Sequence, residues 1–183
     1  MAVHEAGHVA VHLAVGLPFL RATVVPTVEY LGCVVPDPEA PVASNELYAI
    51  LAVAGTVAVD HWLGRRWNTR HDGHQDWSIA MAHLSFGLCP MPAVPPDEKR
   101  RSTEAIRGLP IHLVATLWNL QVCREYPGSG SRLQSRLGQV ARIAEQFLSR
   151  PRVWPRVLRL ADLLMERKTL TYADASAAWN AQA

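Results

Sequence analysis

His4-Glu5-Ala6-Gly7-His8 is the stretch on which the reading of the whole chain turns. On an α-helix, residues i and i+4 leave the same face with their Cβ atoms roughly 5–6 Å apart. Two imidazoles so placed converge on one small cation, and Zn²⁺, with nitrogen bonds of ~2.0–2.1 Å, suits them. Glu5 follows the first histidine directly, near enough to hold and deprotonate a water whose pKa zinc lowers to about 7. The H-E-x-x-H pattern is therefore that of a zinc metalloprotease with Glu5 as general base. The plainer alternative is a helix carrying surface histidines.

A catalytic zinc site takes three protein ligands and leaves one position open, so a third group must come from elsewhere. His12, Asp60, His61, His71, Asp72, His74, Asp76 and His83 are the candidates. His12 continues the series but lies about 12 Å from His4 along a straight helix axis, too far to share one ion. Asp60 and His61 fall on a long apolar helix, and His71, Asp72, His74 and Asp76 crowd one polar segment. Spacing does not choose among them.

The chain has 183 residues, 49% of them hydrophobic, enough for one domain with its own core. No apolar run reaches the ~18–20 residues of a membrane span. The nearest, Leu47 to Leu63, contains Asp60 and His61 and reads as a buried helix, so no membrane segment is expected, and no secretory signal precedes the histidine motif. Net charge is +2. The basic residues at Lys99-Arg100-Arg101, Arg150, Arg152, Arg156 and Arg159 are interrupted by apolar ones at helical spacing, which suits solvated helix faces better than a nucleic-acid surface. Cys33, Cys89 and Cys123 are odd in number and lack paired spacing. They argue against a disulfide framework or zinc ribbon and for a reducing compartment, hence a cytoplasmic location.

Periodicity and punctuation predict a mainly helical chain with one small β element. A first helix runs from Val3 to Val15 and stops at Gly16-Leu17-Pro18. Ala22 to Pro26 and Glu29 to Val35, rich in β-branched residues, form a short hairpin or two strands of a small sheet. Ser44 or Asn45 caps a helix reaching Leu63 and closed by Gly64. After a polar loop from Asn68 to Gln75, Asp76 caps a helix through Leu84. Cys89 to Pro96 is a proline-rich connector. It separates a zinc-site half, residues 1–88, from a helical half, residues 97–183, within a single domain. The second half contains helices from Asp97 to before Pro110, from Ile111 to Tyr126, from Arg132 to Leu148 and from Arg156 to Lys168. A last helix begins at Thr171, where Asp174 completes a capping pattern.

Beyond the five-residue motif, His4-Glu-Ala-Gly-His8-Val-Ala-Val resembles the zinc helix of the FtsH family of ATP-dependent zinc proteases. Ala22-Thr-Val-Val-Pro26 with Leu31-Gly32 is similar to that family's strand and Leu-Gly turn. Ala54-Gly55, Ala58, Asp60 and Gly64 lie where it has a Gly-Arg-x-Ala-Glu-Glu helix ending in Gly. Gly73-His-Gln-Asp76 resembles its Gly-Ala-x-Asn-Asp segment, and Leu163 to Leu170 its Leu-Leu-Glu-x-Glu-Thr-Leu stretch. The resemblance implies a mostly helical, zincin-like peptidase domain in which Asp76 is the third zinc ligand. Asp60, at the second Glu of the family helix, would be an outer partner of a histidine NH. The chain departs from the family in having no phosphate-loop ATPase motif, in Gln75 and Val59 beside the site, and in placing His4 in a helix's first turn.

The function expected from these readings is zinc-dependent endoproteolysis of unfolded or loosely folded polypeptides, with His4, His8 and Asp76 holding Zn²⁺. Leu31, Gly32, Cys33 and Val34 would take an extended substrate as an added strand. A separate ATPase or unfoldase partner and a homo-oligomer belong to the same expectation. The rival readings are an FtsH-like fold serving as a zinc-binding or metal-free protein-interaction module, and a helical nucleic-acid-binding protein.

Overall fold

The structure is a computed structural model and describes residues 1–28, 30–65, 74–86 and 129–181. The first helix, α1 (Ala2–Ala14), ends where the chain turns at Gly16, whose φ of +67° a glycine adopts without strain. In its first turn the Glu5 amide donates to the Met1 carbonyl at 3.1 Å. α2 (Asn45–Trp62) is capped by Ser44, whose hydroxyl accepts from the Leu47 amide at 3.1 Å, which settles the choice between Ser44 and Asn45. Gly64, with φ +63°, follows its end. The two helices cross closely at Gly7: a Cβ there would lie 2.6 Å from both the Ala54 carbonyl oxygen and the Ala58 Cβ.

The β element is a short three-stranded antiparallel sheet in the order β2-β1-β3, the expected pair extended by a further strand. β1 (Phe19–Thr23) begins three residues before the expected Ala22, and β2 (Cys33–Pro36) begins four after the expected Glu29. Burial explains the shift. Phe19 and Ala22 enter the core, while the β-branched Val25 and Val28 point to solvent. Ala22 faces Val34 and Thr23 faces Cys33 across the pair. The unexpected strand, β3 (Thr169–Leu170), joins β1 on its other side, with Ala22 opposite Leu170.

The third helix, α3 (His74–Phe86), starts two residues before Asp76. Asp76 therefore lies inside the first turn and is not the cap expected of it, and His74 and Gln75, expected in the polar loop, belong to the helix. α4 (Ser129–Leu148) and α5 (Trp154–Arg167) each begin earlier than expected, α5 with Pro155 in its first turn. α6 (Tyr172–Asn180) carries the full capping box, with Thr171 and Asp174 each bonding the other's backbone amide. The connector Cys89–Pro96 and the helices expected between Asp97 and Tyr126 lie outside the described residues.

One core joins these elements. Val9 of α1, Val53 and Val57 of α2, Leu84 of α3, Val140 of α4, Leu164 of α5 and Leu170 of β3 are all buried in a single cluster. Each such side chain contributes about 1.5–3 kcal/mol by leaving water. α2 packs on α1, α3 and α4 at once. Among the described residues, no helix is long and apolar enough to cross a membrane.

Candidate metal centre

The i, i+4 spacing puts the His4 and His8 rings on one face of α1, edge to face with centroids 4.8 Å apart. His8 is held by α2: its Nδ1 donates to the Leu51 carbonyl at 2.7 Å. That bond commits the proton of a neutral imidazole to Nδ1 and leaves a bare lone pair on Nε2. Nε2 of His8 lies 3.1 Å from Nε2 of His4. From α3, Asp76 brings Oδ2 to 3.1 Å from the His4 nitrogen and 3.8 Å from the His8 nitrogen.

These three atoms fit a metal ion. A circle through points at 3.1, 3.1 and 3.8 Å has a radius of about 2 Å, close to the ~2.0–2.1 Å of zinc bonds to imidazole and carboxylate. Space is provided by Gly55 of α2, where a Cβ would collide with His8 Nε2 and stand 2.8 Å from Cδ2 and Nε2 of His4. Among the described residues, His4, His8 and Asp76 form the one group of three acidic, thiol or imidazole side chains close enough to share an ion.

The electrostatics suit the same purpose. Burial pushes the Asp76 carboxyl up, but the His4 hydrogen bond, the electrostatic influence of the neighbouring His8 and His4 rings, and a 3.0 Å hydrogen bond from Thr56 outweigh it and hold it below the usual range. Asp76 is thus ionised, as a ligand must be. Glu5 is 2% exposed. Burial raises its carboxyl to about 7, with Asp76 adding to the rise and His8 and the N-terminal ammonium opposing it. A carboxyl poised near neutrality is suited to exchange a proton.

The segment expected to meet substrate lies against Glu5. A Cβ at Gly32 would stand 2.7 Å from Glu5 Oε1 and 3.0 Å from the Thr23 carbonyl oxygen, so a larger residue would require the Glu5 carboxyl to move aside. Leu31 is exposed, and Cys33 and Val34 are half-buried on β2, one of the two edge strands of the sheet. Burial and the Glu5 charge raise the Cys33 thiol, against smaller effects of Tyr30 and Arg21.

Three of the other candidate ligands, His12, His61 and His83, make contacts of their own away from this triangle. His12 is buried and its Nδ1 donates to the Leu17 carbonyl at 3.0 Å. His61 packs edge to face on Trp154 at 4.4 Å, and His83 stacks on Tyr48 at 5.0 Å. Asp60 is half-buried in the last part of α2. Outer hydrogen bonds to His8 and Asp76 are made by Leu51 and Thr56, nine and four residues before Asp60 on the same helix. His71 and Asp72 lie outside the described residues, as does the side chain of His74.

Sequence reading missed Leu51, Gly55 and Thr56. Leu51 acts through its backbone and leaves no trace in sequence. Gly55-Thr56, two poor helix formers in the middle of an apolar helix, was the available signal. Set against models of known protein families and against curated proteins, the sequence matches none of either, so the case for its chemistry rests on the centre itself.

Proposed function

We propose that the chain is a zinc-dependent endopeptidase acting on unfolded or loosely folded polypeptides. The observation that carries this reading is the triangle of His4 Nε2, His8 Nε2 and Asp76 Oδ2 beside the buried Glu5 carboxyl. The two imidazoles and the carboxylate would hold Zn²⁺. The ion supplies Lewis acidity, acidifying water and polarising the scissile carbonyl. Glu5 takes a proton from the attacking water on its carboxylate and delivers it to the leaving amine nitrogen, so the water oxygen stays on the acyl product. The Leu51 bond keeps His8 in the tautomer that presents Nε2. The free side of β2 accepts an extended backbone as a further strand, which restricts substrates to chains that are already unfolded there.

Glu5→Gln tests the reading. The variant should bind zinc and lose casein cleavage, whereas undiminished cleavage would refute it. Zinc bound by a wild-type chain without turnover would point instead to a metal-stabilised interaction module.

A further inference from the structure

The ligands come from two helices, α1 and α3, and each packs extensively on α2. α2 supplies no ligand, yet its buried side meets the centre at Leu51, Gly55 and Thr56. Leu51 orients His8 and Gly55 leaves the space between the rings. Thr56 acts on the third ligand, whose placement the spacing on α1 does nothing to determine.

Thr56 is 6% exposed, so its hydroxyl must find a partner inside the protein. A helical threonine ordinarily turns its hydroxyl back to a carbonyl of the preceding turn. Here the single proton goes across to α3, to Asp76 Oδ2 at 3.0 Å. That oxygen is the one facing the ring nitrogens at 3.1 and 3.8 Å. A carboxylate oxygen accepts more than one bond, so it can keep the hydroxyl while giving its other lone pair to an ion. We propose that Thr56 is the positioning residue of this centre: its hydroxyl fixes which oxygen of Asp76 faces the two imidazoles and thereby sets metal affinity. This rests on the metal-binding part of the function proposed above and is separable from it.

Zinc affinity of the full chain, measured by competition with a chromophoric chelator after metal removal, tests the inference. Thr56→Val keeps the shape and removes the donor. Loss of such an outer partner lowers affinity about 10–100-fold, and that loss is expected for Thr56→Val and Thr56→Ala. Thr56→Ser, which keeps the hydroxyl, should stay close to wild type. The visible absorption of Co²⁺-loaded protein should change in the Val and Ala variants and not in Ser, a signature that a purely structural role would not produce. If Thr56→Val does not fold, the Ser and Ala pair reads the same hydroxyl. Equal zinc affinity and equal cobalt spectra in Ser and Ala would overturn the inference while leaving the metal centre standing. A wild-type chain that binds neither metal would overturn both.

Discussion

Replacing Glu5 by Gln should stabilise the metal-free protein, by an amount set by pH. The carboxyl is buried, and its pKa rises from 4.5 to about 7. The unfolded chain releases this proton near pH 4.5, the folded chain only near 7. Between those values the unfolded state binds fewer protons, so stability falls as pH rises, beginning near 4.5 and levelling off above 7. At about 1.4 kcal/mol for each tenfold change in acidity, ionised Glu5 costs the fold about 3 kcal/mol at pH 8. Glutamine has the same shape and never ionises. The stability of Glu5→Gln minus that of wild type should therefore grow by about 3 kcal/mol between pH 4 and pH 8. Urea unfolding with chelator present, followed by tryptophan fluorescence at several pH values, measures it, and titrations common to both proteins cancel in the difference. Adding Zn²⁺ should narrow the gap, because a cation beside Glu5 favours its ionised form. A difference that stays flat with pH would refute the burial of an ionisable group at this place.

Gly55→Ala places a methyl in the space the donor atoms face and must displace the His8 ring, which offsets the helix gain of up to about 1 kcal/mol. Zinc affinity should fall about 10–100-fold, and zinc affinity equal to wild type in chelator competition would contradict this. Gly7→Ala should behave oppositely: its Cβ meets the Ala54 carbonyl and Ala58 Cβ at 2.6 Å, so α1 and α2 must separate and the fold should lose about 1–3 kcal/mol in urea unfolding. His12, held below its ordinary pKa by burial, is neutral in the fold. Below about pH 6.5 the unfolded chain takes up the proton first, so stability falls as pH drops through that value. His12→Gln should flatten that acid limb of the stability curve, and an unchanged slope would contradict it.

The helices were legible because their signals are local. Gly16 and Gly64 stop α1 and α2 through positive φ, Ser44 caps α2, and Thr171 with Asp174 starts α6, each within a few residues of the boundary it sets. The strands were displaced because pairing is not local. Val24-Val25 has the β-branched composition of a strand. The chain instead pairs Phe19–Thr23, whose Phe19 and Ala22 reach the core while Val25 stays 47% exposed. β3 is two residues long and has no periodicity to read. It exists because Lys168 turns through φ +65° and carries Thr169-Leu170 alongside β1, where Val24 donates to the Lys168 carbonyl.

The centre divides along the same line. His4 and His8 follow from one helical turn, whereas Asp76 stands 68 residues beyond His8, and spacing left it among several acids and histidines. Resemblance singled it out; α2 explains how it arrives. A ligand triangle with atoms 3.1 to 3.8 Å apart depends on the distance between α1 and α3, which α2 sets from between them. Gly7 and Gly55 let the α1 rings approach α2, and Thr56 ties α3 to it. Sequence names the donor atoms, but their convergence is a property of the helix that contributes none of them. Substitutions on α2 should accordingly alter metal affinity as strongly as many changes closer to the ligands in sequence.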